Sequence, residues 1–305
     1  MAFSPGAFGD DIDQKVEDLL DRMTLEEKIG QLNQYSSTFD VTGPAPDDET
    51  ARERYEQIRS GRVGSMLNVT GVEATRRAQE LAVENSRLGI PLIFGFDVIH
   101  GYQTMFPIPL GEAASWDLEA IERSARISAT EAAAAGLHWT FAPNVDISRD
   151  GRWGRIMEGA GEDPYLGSVV AAARVRGFQG DDLSSTDTLA ACAKHFAAYG
   201  LAEAGRDYNT VDISEQTLRN VVLPPFKAAV EAGVATIMNA FNEIGGTPAT
   251  ASSYLQRDIL KGEWDFDGFV VSDYYAIWEL HDRPDTHGHF VAADKKEAAA
   301  LAVKA

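Results

Sequence analysis

The chain has 305 residues, 44% hydrophobic and 24% charged, a composition typical of globular proteins with a large core. Its 47 acidic and 27 basic residues give a net charge of −20, which argues against nucleic acid or an anionic membrane as a partner. The single cysteine, Cys192, excludes an intrachain disulfide. The N-terminal residues lack a signal-peptide pattern, so we expect a periplasmic or secreted protein if such a peptide has been removed, and a cytoplasmic one otherwise.

After an amphipathic N-terminal helix, strand-like and helix-like segments alternate along the chain. Apolar runs predict six strands, at residues 63–69, 91–98, 137–146, 188–197, 235–241 and 268–273. A helical pattern follows each of them. Strict alternation predicts a parallel sheet with crossover helices, an α/β fold that is either a doubly wound sheet or a TIM-like barrel.

Polar residues at the carboxyl ends of these strands favour the barrel. They follow five of the six strands: Asp97, Asn144, Asp146, Lys194, His195, Asn239, Asn242 and Asp273. A dinucleotide-binding sheet would need a glycine fingerprint after its first strand, and none occurs there. Because eight strands close such a barrel and six are predicted, we expect residues 1–305 to form one TIM-like (β/α) barrel domain, truncated before its last two strands.

Three strand ends carry the residues best suited to chemistry. Asp273 follows the apolar run 268–271, which predicts a strand packed on both faces, and a carboxylate held there suits a nucleophile, a general base or a helix cap. Lys194 is suited to form a Schiff base, to donate hydrogen bonds to ligand hydroxyls or to form an ion pair. Neighbouring strand residues point to opposite faces, so His195 faces the same pocket only if the strand is distorted. Asp97 is suited to accept hydrogen bonds from two neighbouring sugar hydroxyls or to form a salt bridge.

The segment 144–167 is too long and too charged for a simple connection, so we expect it to help build a site. Its three arginines, Arg149, Arg152 and Arg155, are expected mainly to pair with the segment's own acidic residues. The three histidines within 281–289 lack the spacing of a catalytic metal site, and we expect no metal or other cofactor.

Four motifs occur in one order along the chain: PLIFGFDVIHG (91–101), FAPNVDISRDGRWGR (141–155), KHFAAYG (194–200) and GFVVSDYYAI (268–277). Together they resemble the N-terminal barrel domain of glycoside hydrolase family 3. The segments AEAGRDYNTVDIS and NEIGGTPATAS resemble its bacterial β-glucosidase branch in particular. The resemblance covers nearly the whole chain, and the motifs are specific to that family.

This resemblance implies a retaining, exo-acting β-glucosidase that removes terminal β-D-glucosyl residues through a covalent glycosyl-enzyme intermediate. Asp273 matches the nucleophile of the family. The positions that match the residues around the sugar in subsite −1 are Asp97, Arg155, Lys194, His195, Arg206, Met238 and Tyr274. The implied partners are β-linked gluco-oligosaccharides and aryl or alkyl β-glucosides.

The acid/base residue is the gap in this resemblance. In much of the family it is a Glu from a second, α/β sandwich domain, which we expect to be absent from these residues and supplied by the same gene or a second chain. The β-N-acetylhexosaminidase branch, which uses a barrel histidine, is disfavoured because no histidine follows Tyr199 in its motif. Glu158 and Glu162 are internal candidates. Tyr274 and Phe241 differ from the residues that many members carry there.

Four alternatives remain open from the sequence. A β-xylosidase or an exo-β-glucanase of the same family would use the same nucleophile. A catalytically incomplete sugar-binding barrel would bind without turnover. An aldolase-like barrel would use Lys194 through a Schiff base.

Overall fold

The chain folds into two compact units. The computed structural model describes residues 9–36, 49–208, 210–281 and 288–305. The first unit comprises Met1–Phe96 and Ala135–Leu137, and the second comprises Asp97–Ala134 and His138–Ala305. Within the described ranges, every helix is too short or too polar to cross a lipid bilayer.

The first unit contains a parallel sheet and four helices. Its strands are β1 (Gln34–Ser36), β2 (Ser65–Leu67) and β3 (Ile93–Phe96). Its helices are α1 (Gly9–Arg22), α2 (Leu25–Gln31), α3 (Glu49–Arg59) and α4 (Val72–Asn85). The strands pair in parallel in the order β1-β2-β3, so their carboxyl ends point in one direction.

The second unit holds the other parallel strands and one hairpin. Its strands are β4 (Trp139–Thr140), β5 (Cys192–Phe196), β6 (Thr236–Asn239), β7 (Glu243–Ile244), β8 (Thr247–Pro248) and β9 (Phe269–Val271). β5, β6 and β9 form a parallel sheet in that order, while β7 and β8 pair antiparallel. Parallel bridges join Trp139 to Ala190 and Asn144 to Lys194.

Helices follow the strands of this unit. They are α5 (Pro109–Ala113), α6 (Leu118–Ala134), α7 (Pro164–Gln179), α8 (Glu215–Thr217), α9 (Leu223–Glu231), α10 (Ala276–Glu279) and α11 (Lys295–Lys304). A π-helical turn, Leu218–Val222, joins α8 to α9, and a second π-helical segment spans Tyr254–Glu263. Asp163 caps α7 by accepting the backbone N–H of Leu166 at 2.7 Å.

Each of the six predicted strands contains an observed strand, but the count of six is wrong. The sequence pattern missed β1, whose three residues are too few to show a period and which pairs in parallel with β2. The prediction that the last strand is packed on both faces is also wrong, because Phe269 is 48% exposed. Among the described strands β9 pairs only with β6.

Strand β5 is buried along its whole length and carries an irregularity at its carboxyl end. Its pairing with β6 shifts register between Ala193 and Phe196, and the Lys194–His195 peptide bond is cis. In a regular strand, neighbouring side chains point to opposite faces. The register shift falls where Lys194 and His195 both face the same group of carboxylates, so the predicted local distortion is confirmed.

Candidate active site

Asp273 lies two residues beyond the end of β9 and is almost completely buried. Its Oδ1 accepts the backbone N–H of Tyr274 at 2.6 Å, and its own N–H donates to Oδ1 of Asn239 at 3.3 Å. Its other oxygen, Oδ2, is buried and has no hydrogen-bond partner among the described residues. Burial raises the pKa of Asp273 to about 6, although the positive charges of Lys194 and Arg155 act in the opposite direction.

Lys194 binds a second carboxylate, and its positive charge also acts on Asp273. Its Nζ donates to Oδ1 of Asp97 at 2.7 Å. The Lys194 side chain is 3% exposed, whereas that of Asp97 is 50% exposed. The buried ammonium group of Lys194 therefore holds the Asp97 carboxylate in place, and the exposed half of Asp97 remains accessible to a ligand.

His195 lies between two carboxyl groups. Its Nδ1 is 2.7 Å from Oδ2 of Asp146, and its Nε2 is 3.5 Å from Oδ2 of Asp273. The edge of its ring meets the Tyr199 ring at a centroid distance of 4.9 Å, and Trp153 packs on the other side of Tyr199 at 5.3 Å. These aromatic rings shield the imidazole from water and fix its plane.

Arg155 reaches the same site from the long charged segment. Its guanidinium donates to both carboxylate oxygens of Glu158, at 2.7 and 3.0 Å, and lies 5.5 Å from the Tyr199 ring centroid. Burial opposes ionisation of Glu158, but hydrogen bonding to Arg155 outweighs it and lowers the pKa of that carboxyl group. Arg152 similarly pairs with Asp150, so the expected pairing within the segment is confirmed for two of its arginines.

The other predicted sugar contacts lie less centrally. Met238 is buried in β6 and pairs with Val271, while Tyr274 exposes 52% of its surface and its ring lies tilted against that of Tyr275, with 4.4 Å between the ring centroids. Arg206 is exposed, and its side chain makes no hydrogen bond or ion pair with the described residues that surround Asp273. Subsite contacts of these three residues stay predictions.

Asp146 was noticed in the sequence only as a strand-end residue, yet it touches His195 directly. The contact depends on the pairing of two strand ends that are distant in sequence, where Asn144 forms a parallel bridge with Lys194. His100 has a structural contact, as its Nδ1 lies 2.9 Å from the carbonyl oxygen of Phe106.

No three His, Cys, Asp or Glu side chains in the described ranges are grouped to hold a metal ion. His287, one of the histidines considered for such a site, lies outside those ranges.

Buried strand-end carboxylates with lysine, arginine and histidine around them suit a neutral polyhydroxylated ligand. The sequence profile of the "Glycosyl hydrolase family 3 N terminal domain" matches residues 24–305. The chain belongs to glycosyl hydrolase family 3. The catalogued members of the family that it resembles include both β-glucosidases and β-xylosidases.

A "Periplasmic beta-glucosidase" of Salmonella typhimurium is 45% identical over 293 residues, covering 96% of this chain and 36% of the relative. A "Beta-xylosidase" of Formosa agariphila is 35% identical, covering 97% of this chain and 36% of the relative. The crystal structure of a β-glucosidase from Listeria innocua in complex with isofagomine matches with a TM-score of 0.84 at 43% identity. That match covers 95% of this chain and 40% of the other, and it confirms the predicted TIM-like (β/α) barrel class.

The chain thus spans 36 to 40% of the length of these family 3 relatives.

Proposed function

We propose that the second unit carries the sugar-binding and nucleophilic half of a retaining β-glucosidase. The observation that carries this proposal is Asp273, a buried carboxylate at a strand end. One of its oxygens is fixed by the Tyr274 N–H, and the other has no hydrogen-bond partner among the described residues. Lys194 and Arg155 supply positive charge that favours its ionised form. A carboxylate in this state is prepared to attack an electrophilic carbon.

In the proposed reaction, Oδ2 of Asp273 attacks the anomeric carbon of a β-glucoside. The bond from that carbon to the leaving oxygen breaks, the leaving oxygen takes a proton, and a covalent glycosyl-enzyme ester forms. Water then attacks the same carbon, returns a proton to the group that protonated the leaving oxygen, and releases glucose and the free carboxylate. Two inversions give net retention of configuration.

We assign the sugar contacts by the chemistry of each group. Asp97 accepts hydrogen bonds from neighbouring hydroxyls of the glucosyl ring, and Lys194 donates to one of them. Arg155 donates to hydroxyls nearer the nucleophile, and His195 lines the site beside Asp273. Their placement around Asp273 supports this assignment.

Two outer residues and one buried residue complete the proposed sugar site. Tyr274, exposed next to the nucleophile, offers an aromatic face to the sugar or the aglycone. Met238 forms an apolar wall from β6, and Arg206 reaches the sugar from its exposed loop. These three roles rest on the family resemblance.

We infer that the general acid is a Glu of a C-terminal α/β domain, carried by the same gene or by a second chain. A general acid needs a raised pKa, and the pKa of Glu158 is lowered by Arg155. Asp97 is bound to Lys194. The greater length of the family 3 relatives supports a source outside these 305 residues.

A β-xylosidase is the second candidate, because the Formosa agariphila relative carries that name. Glucose and xylose differ by one hydroxymethyl group, so the choice depends on room beside Asp97. Comparing kcat/KM for nitrophenyl β-D-glucoside and β-D-xyloside decides between them. We expect the glucoside to be preferred, and a preference for the xyloside would favour the second candidate.

A periplasmic location is proposed from the name of the Salmonella relative. Fractionation of cells that express the native gene tests it. Recovery in the cytoplasmic fraction would contradict it.

The variant Asp273→Asn tests the nucleophile. We expect kcat/KM for an aryl β-glucoside to fall by on the order of 10³-fold or more, because an amide cannot attack the anomeric carbon. Asp163→Asn is the matched control, since Asn caps a helix as well as Asp does and the variant should keep wild-type activity. Wild-type activity of Asp273→Asn would overturn the proposed function.

A further inference from the structure

The imidazole of His195 is held between two buried carboxyl groups, of which only Asp273 has a role in the reaction proposed above. The other, Asp146, is as buried as the ring itself, with both side chains 1% exposed. Oδ2 of Asp146 is 2.7 Å from Nδ1 of His195 and also accepts the backbone N–H of His195 at 3.2 Å. Asp146 therefore makes two contacts with His195, one to its ring and one to its backbone.

The position of Asp273 decides which ring nitrogen carries the proton. Nε2 of His195 faces Oδ2 of Asp273 at 3.5 Å, and neither atom has another partner among the described residues. A nitrogen lone pair facing a carboxylate oxygen is repelled, whereas an N–H facing it is attracted. The proton of the neutral ring therefore belongs on Nε2, and Nδ1 is left as an acceptor.

An acceptor at Nδ1 requires a donor at 2.7 Å, and the atom there is Oδ2 of Asp146. A protonated Oδ2 satisfies both of its contacts, because a hydroxyl accepts one hydrogen bond from the His195 backbone and donates one to Nδ1. Oδ1 of Asp146 is buried without a partner among the described residues. An ionised carboxylate would leave charge on that unpaired oxygen.

The charged surroundings agree with this proton position. Burial raises the pKa of Asp146 to about 8, although Arg155 and Lys194 act against the rise and Glu158 adds to it. Burial, together with the same two cations, holds the pKa of His195 well below its usual value. A neutral carboxyl group beside a neutral imidazole is the result at pH 7.

We propose that protonated Asp146 is a positioning residue that holds His195 in its Nε2–H tautomer and so presents an N–H group to the Asp273 carboxylate, a role that rests on the function proposed above. The N–H orients Oδ2 of Asp273 and stabilises its ionised form. Asp146 keeps its proton throughout the reaction and touches no substrate atom. The backbone bond to His195 fixes the distance between the two residues.

Asp146→Asn tests this role in the full chain by inactivation with a 2-deoxy-2-fluoro-β-glucosyl donor. The Asn oxygen takes over the His195 backbone N–H and then accepts Nδ1–H, which moves the ring proton away from Asp273. We expect the inactivation rate constant to fall about 10- to 100-fold, the range that loss of an outer histidine partner costs in metal sites. We also expect the acid limb of the pH profile of this rate constant to move about one pH unit upward, because the Asp273 carboxylate loses a hydrogen-bond donor and its pKa rises.

A merely structural role for Asp146 would lower the rate without moving the acid limb. In a His195→Gln background, Asp146→Asn should have less than about a twofold further effect, because the residue acts through His195. Asp163→Asn, with the same change of charge at a helix cap, should match the wild type. A folded Asp146→Asn protein with wild-type rate and wild-type acid limb would overturn the proposal.

Infrared spectroscopy of the wild-type protein labelled with ¹³C-aspartate keeps the test independent of how the variant folds. We expect an isotope-shifted carbonyl band of a protonated carboxyl group at pH 7 that disappears with a midpoint near pH 8. Absence of this band at pH 7 would overturn the proposal. Failure of wild-type Asp273 to become labelled by the fluoro sugar would instead overturn the proposed function.

Discussion

At the level of single residues, the ionisation of Asp273 controls the proposed reaction. Burial raises its pKa to about 6, and a nucleophile must be ionised to attack. The reactive fraction is therefore nearly complete at pH 8 and falls about tenfold for each unit well below pH 6. Lys194 and Arg155 limit the rise in pKa, so in the proposed site the residues assigned to bind the sugar also favour the ionised form of Asp273.

The pH dependence of kcat/KM for an aryl β-glucoside tests whether the pKa of Asp273 is raised in this way, because it reports the pKa values of the free enzyme's essential groups. We expect an acid limb with an apparent pKa near 6. An acid limb near 4, the value of an exposed carboxyl group, would contradict the burial of Asp273.

Lys194→Met removes the buried cation that holds Asp97 at 2.7 Å. We expect kcat/KM to fall about 10- to 100-fold, in line with one hydrogen bond to a charged group. The acid limb should also move to higher pH, because Lys194 lowers the pKa of Asp273.

Lys227→Met is the control for this change, since Lys227 is exposed and forms a surface ion pair with Glu231 on its own helix, at 3.7 Å. It should leave both the rate and the acid limb unchanged. An unaltered acid limb in Lys194→Met would show that its charge does not act on Asp273.

The sequence predicted which residues belong at the strand ends, because an apolar run followed by a polar residue marks that place without knowledge of the neighbours. Asp97, Lys194, His195 and Asp273 were found in this way. The contact from Asp146 to His195 was not, because it depends on the register between two strands that are far apart in sequence. That Asp97 pairs with Lys194 rather than with an arginine likewise depends on tertiary contacts that the sequence does not show.

At the level of elements, helices α6 and α7 approach each other closely at Gly177. A Cβ added there would meet the carbonyl oxygen of Glu122 and come within 2.6 Å of the Cβ of Ala125. Neither is the flexible end of a side chain, so the helices would have to separate. Gly177 therefore sets the spacing between two long helices of the second unit.

Gly177→Ala should lower the free energy of unfolding by about 1–3 kcal/mol, the usual cost of overpacking, although alanine favours the helix itself. The control is Gly111→Ala in α5, where a Cβ would meet only side-chain carbons at 3.7 Å and stability should hold or rise. Chemical denaturation measures both. Equal stability of Gly177→Ala and the wild type would contradict the close approach.

Most helices and strands could be predicted from the sequence, whereas short and irregular elements could not. The alternation of apolar and amphipathic runs predicted the parallel strands and the helices between them, since each run is long enough to show a period. The three-residue strand β1 and the hairpin β7–β8 were missed, and the helix predicted after residues 235–241 is π-helical over Tyr254–Glu263. Such short or irregular elements are set by tertiary pairing and carry no period of their own.

At the level of the whole molecule, the proposed function divides the catalytic groups between two domains. The proposed nucleophile and the proposed sugar contacts lie in the second unit, and the general acid is proposed to come from another domain. Leaving groups differ in how much they need that acid: an activated aryl group leaves without protonation, while a sugar hydroxyl does not. Substrate choice therefore reports on the acid.

We expect the 305-residue chain to act on dinitrophenyl β-glucoside but to lose activity on cellobiose by about 10²-fold or more relative to a full-length family 3 β-glucosidase, the usual range for a missing general acid. Measuring kcat/KM for both substrates checks this. Cellobiose hydrolysis at full-length rates would place the acid within these residues.

Mapping the covalent intermediate tests the central claim most directly. A 2-deoxy-2-fluoro-β-glucosyl donor with a good leaving group is incubated with the protein, which is then digested and analysed by mass spectrometry. The account predicts one glucosyl-derived label, on Asp273 within the peptide that contains GFVVSDYYAI. A label on any other residue, or no label on an active protein, would contradict it.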